Sequence, residues 1–273
     1  MTRRELGQFL AGVAAAGTLR SDEPTLSVSG VDHIKLRVAN AGASAMFYYA
    51  LFGSDFVPVR NSTFRNASQM DEVFLKIGAS RFPYLMLSGI RKGESPGMDH
   101  LSVLAGSPEV ARTTLTRNGI SLIDPSDGLW FRDTDGTLIE LMAGPTWGLQ
   151  TQNIRLPVPS NLASLRPAFE GATLTKIFLR VVDITRATSF YGQLFGGDRI
   201  TDERRFAFGS TALELIPAGG KAPGLDRLVI SIRGLKPKQA RRILEQRGIK
   251  PSGPRQQLLL HDPDGDELEL VAN

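Results

Sequence analysis

Apolar and polar residues alternate along four stretches of the chain, at 32–38, 99–105, 174–182 and 226–233. In the first, Ile34, Leu36 and Val38 fall on one side of an extended strand and His33, Lys35 and Arg37 on the other. A segment with helical spacing follows each stretch. Residues 41–52 and 184–195 run into Phe52-Gly53 and Phe195-Gly196, and a glycine just past the last apolar residue is the usual helix stop. Helices within 107–118 and 235–247 end before Gly119 and Gly248. Short strands are then predicted at 120–124, 128–132 and 137–143, and again at 249–251, 256–261 and 266–272. Asp135-Gly136 and Asp264-Gly265 are the turns of the closing hairpins. The grammar is strand, helix, three strands, which is an α+β arrangement.

The units repeat. Val31-Asp32-His33-Ile34-Lys35-Leu36-Arg37-Val38 lies over Leu174-Thr175-Lys176-Ile177-Phe178-Leu179-Arg180-Val181. Without a gap, Phe47-Tyr48 then meets Phe190-Tyr191, and Leu51-Phe52-Gly53 meets Leu194-Phe195-Gly196. Asp99-His100-Leu101 matches Asp226-Arg227-Leu228, Asp133-Thr134-Asp135-Gly136 matches Asp262-Pro263-Asp264-Gly265, and Ile139-Glu140-Leu141 matches Leu268-Glu269-Leu270. Four βαβββ modules result, in two domains at 28–144 and 173–273. The proline-bearing segment 145–172 reads as a linker running over the surface, and the polar stretches 60–71 and 90–98 as long loops of the kind that act as lids or binding loops.

Composition narrows the chemistry. The 32 Lys and Arg are set against 28 Asp and Glu, a mixed surface with no interleaved arginine and aromatic pattern, so nucleic acid is not an expected partner. No apolar run approaches the ~20 residues of a membrane span. There is no cysteine, which excludes disulfides, thiolate metal sites and cysteine nucleophiles. Only three histidines are present, His33, His100 and His261. Residues 1–24 open with Arg3-Arg4, a short weakly apolar stretch and Ala14-Ala15-Ala16, and read as an export signal of twin-arginine type. That predicts a periplasmic protein, the alternative being a cytoplasmic one with an N-terminal helix.

The repeated βαβββ unit, its strand-borne histidine and the hairpin Trp130-Phe131-Arg132-Asp133-Thr134-Asp135-Gly136-Thr137-Leu138-Ile139-Glu140-Leu141 resemble the vicinal-oxygen-chelate (VOC) superfamily. This superfamily includes glyoxalase I, bleomycin-resistance proteins, fosfomycin-resistance enzymes and extradiol dioxygenases. The resemblance covers about residues 30–144 and 173–273. It implies two tandem half-barrels, with metal ligands on the first and last strand of each unit. In the first domain those positions are His33, Leu85, His100 and Glu140, with Leu85 placed by aligning 85–89 under 140–144. Two imidazoles and a carboxylate remain, a facial triad that leaves coordination positions open.

The second domain is an internal control. Lys176, Glu214, Arg227 and Glu269 fill its four positions. Cationic side chains do not ligate a dication, so an ion-pair cluster and a metal-free domain are expected there. His261 aligns with Arg132 and reads as structural or exposed. Tyr48 matches Tyr191, which favours core packing over catalysis.

The triad suits one divalent ion, with Fe(II) favoured through the resemblance and Mn(II), Zn(II), Ni(II) or Co(II) as alternatives. Lys35, Arg37 and Trp130 are the candidate substrate-binding residues, the two cations attracting an oxyanion. Trp130 and Phe131 alternate along a strand, so one of them reaches the cavity. No catalytic acid or base is singled out. The expected partners are a small-molecule substrate and, as an open alternative, a second copy of the chain. The resemblance implies an extradiol-type dioxygenase. The alternatives are a glyoxalase- or epimerase-type lyase or isomerase, and a bleomycin-resistance-like binding protein.

Overall fold

The computed structural model describes residues 25–53, 55–58, 72–77, 84–123, 129–143, 166–196, 200–202, 204–254 and 256–273. The proposed export segment, the loop at 60–71 and most of the linker lie outside the described residues. The first domain comprises β1 (Val28–Val38), α1 (Ala41–Phe52), β2 (Asp55–Pro58), β3 (Glu72–Lys76), β4 (Tyr84–Gly89), β5 (Gly97–Ala105), α2 (Pro108–Arg117), β6 (Leu129–Arg132) and β7 (Leu138–Met142). The second comprises β8 (Ala172–Val181), α3 (Ile184–Phe195), β9 (Ile200–Asp202), β10 (Arg205–Phe208), β11 (Thr211–Pro217), β12 (Gly224–Ile232), α4 (Pro237–Gln246), β13 (Leu258–His261) and β14 (Glu267–Ala272).

Each domain is one mixed seven-stranded sheet, in the orders β2-β3-β4-β1-β5-β7-β6 and β13-β14-β12-β8-β11-β10-β9. The opening strands of the two modules lie antiparallel at the centre, β1 on β5 and β8 on β12. Each also pairs in parallel with the last strand of its own module, as β1 does with β4 and β5 with β7. The four βαβββ-type modules and the two tandem half-barrels are thus present. The first of the three expected short strands in each second module is reduced, however: over its described residues 120–124 contributes only the bond from Ile123 N to Trp130 O, and 249–251 only the neighbouring bridge between Ser252 and Leu259. In both places the chain is still leaving a helix: Ile120 N bonds to Leu115 O and Ile249 N to Leu244 O. These C-terminal hydrogen bonds occupy the amides that strand pairing would need.

The alternation seen in the sequence separates two chemistries. Ile34, Leu36, Leu85, Leu87, Leu101, Val103, Ile139 and Leu141 are buried in the core. His33, Lys35, His100 and Glu140 occupy the other face. The linker needs a correction. Its described part, 166–171, has exposed residues at Arg166, Glu170 and Gly171 but is anchored to the first domain: Phe169 is buried, and Ala168 N and Phe169 N donate to Ala50 O and Leu51 O at the end of α1.

The domains are interlocked reciprocally. Tyr48 on α1 donates to Asp262 in the second domain's hairpin at 3.0 Å, and Tyr191 on α3 donates to Asp133 in the first domain's hairpin at 2.8 Å. Asp264 accepts from Ala39 N and Ser44 Oγ at the start of α1, and Asp135 accepts from Val182 N and Arg186 at the start of α3. Each aspartate thereby adds negative charge and an acceptor to a helix N-terminus of the other domain. Asp133 and Asp262 also accept two backbone N–H groups of their own turns, which holds the hairpins in shape.

Candidate metal centre

Strand register brings the three predicted ligands together. His33 lies beside Ser102, and Ser102 beside Glu140, in one row across β1, β5 and β7. His100 is one step along, opposite Lys35. His33 Nε2 is 2.9 Å from His100 Nε2, and Glu140 Oε2 is 3.6 and 3.7 Å from the two imidazoles. Three atoms so spaced lie on a circle of radius about 2.0 Å, the length of an ordinary metal–imidazole bond.

The surroundings fit a cation in three further ways. Asp32 contacts His33 Nδ1 at 2.7 Å and Asp99 contacts His100 Nδ1 at 2.9 Å. A carboxylate at Nδ1 keeps the proton there and leaves Nε2 as a bare lone pair. Two lone pairs facing each other at 2.9 Å repel unless a positive centre lies against both. Next, burial pushes His100 down to about 4, so it is neutral at pH 7 and available as a ligand. Its hydrogen bond holds Asp99 below the usual carboxylate range. Finally, Glu140 Oε2 is buried without a hydrogen-bond partner, and burial raises the Glu140 carboxyl. A buried carboxylate oxygen in that condition is costly unless a cation compensates it. Among the described residues, His33, His100 and Glu140 form the one group of three or more histidines and carboxylates able to hold an ion.

Around the triad, Phe74 meets the His33 ring edge-on at 5.6 Å and Trp130 meets the His100 ring at 4.7 Å. Trp130 is therefore the member of its pair beside the site, whereas Phe131 is buried toward Phe190 of α3. Lys35 pairs with Glu72 at 3.0 Å. Arg37 pairs with Asp99 at 3.1 Å, and the matching Arg180 pairs with Asp226 at 2.8 Å, so this arginine–aspartate contact belongs to the scaffold of both domains.

The fourth ligand position requires a correction. Leu85 lies opposite Ile34, just as Ile139 lies opposite Leu101, so Leu85 corresponds to the core residue Ile139. Met86 is the counterpart of Glu140, and Glu214 is the counterpart of Met86 in the second domain. A shift of one residue in a strand exchanges its faces. Fully buried Leu85 belongs to the core, and a thioether occupies the fourth place.

The second domain carries the expected ion pairs in a different grouping. Lys176 and Arg205 both pair with Glu214, at 2.8 and 3.0 Å, and Arg227 pairs with Glu269 at 3.3 Å and Glu267 at 3.5 Å. They form two groups, with the ring of Phe178 between them. Lys176 Nζ is 4.9 Å and the Arg227 guanidinium 4.3 Å from its centroid. His261 is exposed and stands 3.9 Å from Glu267.

Asp32, Asp99, Phe74 and Met86 were not found from sequence as parts of the site. The Asp-His dipeptide, present twice, was the available signal for the first two. Phe74 and Met86 sit in ordinary strand patterns whose register the sequence leaves open.

No family model and no curated protein matches the chain. Solved structures do. The 2,3-dioxygenase LapB from Pseudomonas sp. KL28 is 14% identical with a TM-score of 0.58, over 92% of this chain and 94% of that one. A variant of homoprotocatechuate 2,3-dioxygenase from B. fuscum is 17% identical with a TM-score of 0.61, over 90% and 72%. The Mn(II)-bound glyoxalase from Novosphingobium aromaticivorans is 15% identical with a TM-score of 0.57, over 90% and 83%. Fold and sequence repeat agree: the chain has the tandem vicinal-oxygen-chelate fold.

Proposed function

We propose that the protein is a metal-dependent oxygenase of the extradiol type, acting on a small molecule with two adjacent oxygens. The convergence of His33, His100 and Glu140 on one point carries this reading. The dioxygenases sharing the fold support it. When bound, an ion such as Fe(II) supplies open positions for both substrate oxygens and for dioxygen.

The chain's own residues set the conditions for that chemistry. Asp32 and Asp99 fix the tautomer and orientation of the two imidazoles. Phe74 and Trp130 wall the site with rings, keep water from it and suit a flat substrate. Lys35 presents a positive charge two residues along β1 from His33 and stabilises an anionic form of the substrate.

Met86 weighs against the glyoxalase-type alternative, which needs a proton-moving carboxylate in that fourth place. The intact triad weighs against a purely sequestering protein. The test is oxygen consumption by Fe(II)-reconstituted protein with a panel of catechols. Uptake of one O₂ per ring cleaved, lost in Glu140→Ala, is the expected result. No uptake, together with exchange of solvent deuterium into a 2-oxo substrate, would replace the dioxygenase reading with the isomerase one.

A further inference from the structure

A cavity of about 520 Å³ lies along β1 beside the triad. Its wall includes Lys35, Arg37, Glu72, Arg91, Glu94 and Asp99. Asp99 also holds His100 Nδ1, so cavity and triad share a wall. The volume is that of an ordinary small-ligand pocket.

Each carboxylate in the wall already has a donor. Glu72 takes Lys35 at 3.0 Å, Glu94 takes Arg91 N at 2.8 Å, and Asp99 takes Arg37 and His100. Donors are left over. Lys35 has three N–H bonds, and its contact with Glu72 uses one. Arg37 donates from Nη1 to Asp99 and from Nη2 to Met98 O, but its Nε is buried without a partner. A buried, unpaired donor on a charged group is costly to leave unmet.

The second domain shows that this is no necessity of the scaffold. Arg180, the counterpart of Arg37, donates its Nε to Ala222 O at 2.9 Å. Phe178 stands where Lys35 would be, its ring covered by Lys176 and Arg227. At the Arg37 and Arg180 position the added lysine and the unpaired guanidinium Nε thus occur together in the domain that has the triad, whereas Arg227 Nε of the second domain, also without a hydrogen-bond partner, lies 3.3 Å from the Glu269 carboxylate.

We propose that this cavity receives a carboxylate carried by the substrate, held by Lys35 with Arg37 turning to supply its unpaired donor. This rests on the reading above, in which the triad faces the substrate's two adjacent oxygens. It narrows the substrate class to acidic catechols. His33 and Lys35 are two residues apart, about 6.7 Å along the strand, so the carboxylate is set off from the ring by a short aliphatic arm.

Binding, read by calorimetry on Mn(II)-loaded protein, tests this with three probes: 4-methylcatechol, 3-(3,4-dihydroxyphenyl)propionate and 3-phenylpropionate. In wild type the dihydroxyphenylpropionate should bind at least tenfold tighter than 4-methylcatechol. In Lys35→Met the dihydroxyphenylpropionate should lose at least fivefold more affinity than 4-methylcatechol, so that the gap shrinks to within twofold, and Lys35→Arg should restore most of it. Equal affinities in wild type, equal losses for both catechols in Lys35→Met, or no binding of any probe would overturn the proposal. If 4-methylcatechol does not bind but 3-phenylpropionate binds in a Lys35-dependent way, the catechol reading falls and the carboxylate cavity stands.

Discussion

Asp32 and Asp99 orient two strand histidines as candidate ligands. Each contributes a carboxylate to an Nδ1, and neither touches the atoms that would face an ion. Asp32→Asn should therefore weaken Zn(II) or Mn(II) affinity 10–100-fold, read by competition with a fluorescent chelator, without loss of fold. Unchanged affinity would remove Asp32 from the site. Tyr48 and Tyr191 are the other residues whose role depends on one atom. Each is fully buried and donates to an aspartate of the opposite domain. Tyr48→Phe and Tyr191→Phe should each cost about 1–3 kcal/mol in urea denaturation, because a buried acceptor loses its donor. The sequence placed these tyrosines in the core, as found. It did not reveal their hydroxyl partner, which for Tyr48 is 214 residues away.

One difference between the closing hairpins has a pH signature. Thr137 in the first hairpin is replaced by Asp266 in the second. Burial, then the neighbouring carboxylates of Asp262 and Asp264, push Asp266 up to about 6, against a smaller opposing effect of Arg180. A carboxyl raised in the folded state favours folding below its unfolded pKa and loses that contribution as pH rises through about 6. Asp266→Thr should raise stability at pH 7.5 by about 1–2 kcal/mol, after allowance for solvent screening, and confer little at pH 4. An equal gain at both pH values would show that the carboxylate charge is not the cause. Helix boundaries were the most legible feature at this scale: α1 and α3 match the expected 41–52 and 184–195 because Asn40 and Asp183 cap one end and glycines follow the other. Strand register was less legible. Leu85-Met86-Leu87 is apolar on both faces, so alternation leaves its phase open, and the fourth ligand position falls on Met86 in place of the expected Leu85.

The repeat revealed two copies of one architecture, and the structure shows where they diverge. One sheet assembles imidazole, imidazole and carboxylate; the other places Lys176, Phe178 and Arg227 among carboxylates already paired with cations. Legible in advance was the choice of the three candidate ligands that the fold brings together, because only three histidines exist and two fall on matched strands. Not legible was the exchange of aspartates between domains, since each hairpin looks locally complete. We propose an asymmetric molecule with one ion-binding half. Metal content per chain, measured by mass spectrometry on protein purified without chelator, tests this most directly. One equivalent in wild type and in Lys176→Ala, and less than a tenth of an equivalent in His100→Ala and Glu140→Ala, is the expected result. Two equivalents in wild type, or one equivalent retained in His100→Ala, would contradict it.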